Sequence, residues 1–180
     1  MATKRLTITA FFTAAALILG LIENALPPVF AFAPGVKLGL ANVVSLVALI
    51  ILGAGEAYAV LLIRCLLLSV FSGNISGLMY SLPAGFAALT VQTLLYLFVF
   101  PRVSLMLISL AAAAVHNAAQ LAVASAVVRF NLFAILPLTL TAGVIAGLFV
   151  GITAYYAVRL LPKSLYIQNS QNKTESKNGI

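Results

Sequence analysis

Few residues in this chain are able to do chemistry. Glu23, Asn24, Lys37, Asn42, Arg64, His116, Asn117 and Gln120 lie within or at the edges of long apolar stretches. In a bilayer a central charge costs roughly 2.5–3.5 kcal/mol on insertion scales, so each polar side chain there needs a partner or a task. One carboxylate, two cations, an imidazole and several amides suit the capture of a small anionic or phosphorylated molecule, held by charge and oriented hydrogen bonds. His116 and Gln120, four apart, share a helix face. Each group also has a purely structural reading. Arg64 lies too deep to reach water easily, and Glu23 is the carboxylate able to pair with it, which would tie two helices together. His116 and Asn117 could make an interhelical hydrogen bond, worth on average ~0.6 kcal/mol in membranes.

Other chemistries are excluded by what is missing. The chain has one His, one Cys and no Asp, so it cannot assemble the three or four ligands of a metal site, and no metal is expected. Cys65 sits in an apolar stretch with no second cysteine, and a structural role is expected for it. There is no G-x-x-x-x-G-K-[ST] phosphate loop and no carboxylate pair for Mg²⁺. Any ATP-driven activity must come from a partner, no cofactor is expected, and the chain is not expected to be an enzyme.

The elements that must position these groups follow from composition. With 63% hydrophobic and 7% charged residues, the chain cannot clothe a water-facing surface, and its solvent is lipid. The apolar stretches are unbroken, which indicates helices rather than barrel strands. The expected fold is an all-α, polytopic bundle of six transmembrane helices over residues 1–162, followed by a polar, disordered cytoplasmic tail over 163–180. The spans are placed at about Leu6–Leu26, Leu38–Leu52, Glu56–Phe71, Ser76–Phe100, Val103–Val128 and Phe133–Leu161. Gly53-Ala54-Gly55 and Ser72-Gly73-Asn74 mark tight turns, and Pro83 predicts a kink in the fourth span. A signal peptide is rejected, because Glu23, Asn24 and Pro34 do not fit a cleaved leader.

The net charge of +7 reflects orientation and not nucleic acid, since the basic residues are scattered between spans. Lys4, Arg5, Arg102, Arg159, Lys163, Lys173 and Lys177 fall on one side and Lys37 and Arg129 on the other. Both termini are therefore expected in the cytoplasm. In that topology the polar residues converge in the outer half of the membrane. Small residues give two close-packing faces. Ala10 and Ala14 in the first span could pack internally or against a partner protein. Gly143, Gly147 and Gly151 in the last span are expected to pack internally.

At Glu23, at Pro34-Gly35-Val36-Lys37-Leu38-Gly39-Leu40-Ala41-Asn42, at Arg64, at Tyr80-Ser81-Leu82 and at His116-Asn117-Ala118-Ala119-Gln120, the sequence resembles the bacterial family called heptaprenyl diphosphate synthase component I, also the Gx transporter family. The likeness covers roughly residues 5–160; Pro83 stands where that family has a small residue or glycine. The family is similar to the substrate-binding S components of energy-coupling factor (ECF) transporters. This resemblance implies a plasma-membrane protein that captures a small nutrient from outside, with a transmembrane coupling protein and ATPase subunits as partners. It also implies that Ala10 and Ala14 form the docking face for those partners. Substrate contacts are expected from Glu23, Lys37, Asn42, Arg64, Tyr80, His116, Asn117 and Gln120, with the loop Pro27–Pro34 as a lid. The family's older name implies a different role, a non-catalytic membrane accessory of a heptaprenyl diphosphate synthase in isoprenoid and quinone biosynthesis. Without a single Asp the chain cannot supply the Mg²⁺-binding motifs of the catalytic subunit. A third possibility is a structural subunit whose polar residues only lock the helices.

Overall fold

The computed structural model describes residues 2–25 and 40–162. The expected lid, Pro27–Pro34, together with Lys37 and the tail 163–180, lies outside the described residues. Six α-helices follow one another: α1 (Ala2–Ala25), α2 (Leu40–Ile51), α3 (Ala54–Phe71), α4 (Ile75–Phe98), α5 (Leu105–Val128) and α6 (Leu136–Leu160). A 3-10 turn over Phe133–Ile135 leads into α6. No strand occurs among the described residues. The connections are tight because their residues permit it. Gly53 (φ 110°) and Gly73 (φ 66°) take left-handed backbone conformations that favour glycine. Asn74 caps α4 by accepting the Gly77 amide at 2.8 Å, and Ser104 caps α5 by accepting that of Leu107 at 3.3 Å. Helix α4 continues through Pro83.

Five of the helices are long and apolar enough to cross a bilayer. Only about a third or less of each is buried inside the protein, and their outward faces carry Phe11, Ile18, Ile63, Leu66, Leu97 and Phe149. Such a surface belongs in lipid, and the chain is an integral membrane protein.

Helix α2 is the most enclosed of the six. Its 12 described residues extend about 18 Å at roughly 1.5 Å per residue. Ten of them, Ala41 and Val43–Ile51, are buried. The helix is the centre of the bundle, and the core forms on it: Ile8, Phe12 and Ala16 of α1, Val60 and Leu61 of α3, and Val150 and Ala154 of α6 pack around Leu46, Leu49 and Ile51.

The two ends of the bundle differ in charge. One end gathers the start of α1, the α2–α3 and α4–α5 turns and the end of α6, and with them Arg5, Arg102 and Arg159. There Arg5 donates to Glu56 at 3.2 Å, joining α1 to α3, and Arg159 lies over the Tyr155 ring at 4.5 Å. The other end carries Glu23, the α3–α4 turn and Arg129.

Candidate functional site

A cavity of about 110 Å³ lies in the half of the bundle away from the basic end. It is walled by Glu23 of α1, Asn42 of α2, Arg64 and Cys65 of α3, Ser81 of α4, and His116, Asn117 and Gln120 of α5. Arg64 is 6% exposed. One guanidinium Nη donates to the Asn42 side-chain oxygen at 2.8 Å, a charge-assisted bond of the stronger kind. The guanidinium Nε has no partner, and neither does His116 Nδ1. Glu23 acts on Arg64 through its charge. The hydrogen bond found for Arg64 thus runs to Asn42, a partner that the sequence reading did not assign.

Asn117 serves two ends. Its amide nitrogen donates across to the Thr139 carbonyl of α6 at 2.8 Å, which is the interhelical bond anticipated as its structural role, and the residue still lines the cavity. The close approach behind this bond depends on glycine. A Cβ on Gly143 would overlap the Asn117 amide, one on Gly147 would meet Ala113 Cβ at 2.9 Å, and one on Gly151 would meet Met106 Cα at 2.8 Å. The glycine face of α6 therefore packs internally, against α5.

A second cavity of about 50 Å³ lies deeper, toward the middle of the bundle. It shares Asn42, His116 and Asn117 with the first and is otherwise lined by Ser45, Gly85, Ala88, Gln92, Ser109, Gly143 and Gly147 among others. Sequence reasoning passed over Gln92, Ser109 and Ser81. For Gln92 a signal existed, since an amide in the middle of an apolar span is as costly as those at Asn42 or Gln120. The serines give no such signal, because a serine hydroxyl in a helix commonly bonds back to its own backbone.

Of the eight expected contact residues, Glu23, Asn42, Arg64, His116, Asn117 and Gln120 meet at one cavity. Tyr80 is half-buried on α4 and lines neither cavity, although its neighbour Ser81 lines the first. Lys37 is outside the described residues. Ala10 and Ala14 are both exposed on α1, flanked by exposed Phe11 and Ile18. Among the described residues no cluster of three His, Cys, Asp or Glu side chains is placed to hold a metal ion.

The sequence profile of the heptaprenyl diphosphate synthase component I family matches residues 12–157, which takes in every described cavity residue. The chain belongs to that family. The match covers α2–α5 completely and α1 and α6 but for their ends at the basic side of the bundle. No curated protein and no solved structure matches the chain. The family's name designates one component of a synthase and so points to work done together with another protein.

Proposed function

We propose that this family member is the membrane-embedded substrate-binding component of an ATP-driven uptake system of the ECF type, and that the Arg64 cavity captures a small, anionic nutrient. One observation carries the reading: a buried guanidinium that walls a cavity, held by Asn42 on one nitrogen and without a hydrogen-bond partner at Nε. A cation serving only to lock helices would have its donors filled, because an unmet donor on a charged group in low dielectric is expensive. An incoming carboxylate or phosphate supplies the missing acceptor, with His116 and Gln120 on the facing helix as further hydrogen-bonding groups. Assigning the basic end to the cytoplasm by the positive-inside rule places the cavity toward the outside. That is the side from which an imported molecule arrives.

Mass spectrometry of small molecules retained by the detergent-purified protein tests the proposal. The expected result is an anionic compound retained by wild type and by Arg159→Ala and lost from Arg64→Ala. Equal retention by the two variants would remove Arg64 from the site.

The exposed Ala10 and Ala14 give α1 a shallow, lipid-facing notch into which a partner helix fits. Substituting both by leucine is expected to abolish co-purification with coupling and ATPase subunits from native membranes while leaving ligand retention unchanged. Undiminished co-purification would place the docking face elsewhere.

The family name favours a second reading, an accessory to a prenyl synthase. In it the same cationic cavity would receive a diphosphate headgroup and the partner would be the catalytic component. Co-purification with a prenyl synthase subunit in place of ATPases would decide for it.

A further inference from the structure

The deeper cavity has features that an anion at Arg64 does not explain. Gln92 is 5% and Ser109 2% exposed, and both line this cavity. Both side chains contribute polar groups to a lining that is otherwise mostly apolar. An amide and a hydroxyl facing one space favour an occupant that can hydrogen-bond to them over one that cannot. The residues above them are small and apolar: Gly85, Ala88, Ala112 and Gly147 form the walls between Gln92 and the shared residues. Along α5, His116 at the junction and Ser109 at the floor stand about 10 Å apart at ~1.5 Å per residue.

The junction is held unevenly. Asn42 is bound to Arg64 and Asn117 to Thr139, whereas the His116 ring has a free Nδ1. The imidazole, hydrogen-bonded to the Ala84 backbone, lines both spaces and forms part of the wall that they share.

We propose that the two cavities are one elongated binding site, and that its ligand carries an anionic group at Arg64, a narrow apolar stem past His116, and an uncharged hydrogen-bonding group at Gln92 and Ser109. This rests on the reading of the Arg64 cavity as a ligand site and adds the far end of the molecule. A free volume of about 50 Å³ is large enough to admit water. That water is replaced by a hydroxyl or amide with its neighbouring carbons. A purely hydrocarbon tail does not fit, because it would drive out water and offer Gln92 no hydrogen bond.

Four probes test this on the full chain in detergent, with dissociation constants taken from ligand-dependent thermal stabilisation: butyrate, octanoate, 8-hydroxyoctanoate and geranyl diphosphate. The expected result is that wild type binds 8-hydroxyoctanoate about tenfold more tightly than octanoate, the effect of one well-made buried hydrogen bond. The advantage is expected to vanish in Gln92→Leu, while Arg64→Ala loses both ligands. If the carboxylates bind in an Arg64-dependent manner and the terminal hydroxyl gives no gain, the deep subsite is overturned and the anion site stands. If no binding depends on Arg64, the anion site falls and the subsite with it. Tightest binding by geranyl diphosphate, unchanged in Gln92→Leu, would overturn the polar end in favour of a hydrocarbon one. The contrast between octanoate and its hydroxylated form is read on wild type alone, so poor folding of Gln92→Leu would not blunt it.

Discussion

Gly147→Leu is expected to unfold or grossly loosen the α5–α6 pair, whereas Gly55→Leu is expected to leave the melting temperature nearly unchanged. At Gly147 the first added carbon already meets Ala113 Cβ at 2.9 Å and the Leu110 backbone at 3.1 Å. A backbone cannot yield as a side-chain tip does. Overpacking of cores costs roughly 1–3 kcal/mol where neighbours can adjust, and this position belongs at or above the top of that range. At Gly55 a Cβ meets nothing within 4 Å, and surface substitutions of this kind stay within about 0.5 kcal/mol. Thermal unfolding in one detergent compares the two. Equal melting temperatures would mean that the helices do not touch along this glycine face.

The second prediction concerns opposite signs at two ends of one hydrogen bond. Asn42→Leu removes the acceptor held by Arg64 at 2.8 Å and leaves a charge buried with less to bind. Losing a hydrogen bond to a charged group in this way costs about 1.5–3 kcal/mol. Arg64→Met removes the charge itself and with it the desolvation penalty, so the ligand-free protein is expected to be as stable as wild type or more so. The same variant is expected to lose anion binding. Melting curves of both variants, taken alongside ligand retention, check this pattern. If Arg64→Met were as destabilised as Asn42→Leu, the guanidinium would be a clasp between helices and the structural-subunit reading would gain.

Hydropathy was sufficient to place the six helices, because a run of lipid-compatible residues between glycine turns has few other fates. It was blind to the character of α2. Leu46, Leu49 and Ile51 are as apolar facing protein as they would be facing lipid, so composition alone cannot reveal that this helix is enclosed. The convergence of Arg64, His116 and Gln120 was legible because intramembrane polarity is rare enough for depth alone to group them. The choice of Asn42 over Glu23 as hydrogen-bond partner was not, since it depends on how far α2 penetrates beside α3. Nor was the separation of Tyr80 from Ser81, adjacent in sequence, of which only the latter reaches the cavity.

The central placement of α2 also sets an order of assembly. Its wall is completed by Val150 and Ala154 of α6, and the acceptor for Asn117 is Thr139 at the head of the same helix. These are made last by the ribosome. A nascent chain halted before residue 136 already carries every residue that walls the Arg64 cavity, yet lacks the α6 side of the core and the acceptor that fixes Asn117. Helix α6 therefore contributes to the Arg64 cavity indirectly, by holding α2 and α5 in place, and chains ended before it are expected to be unstable in detergent.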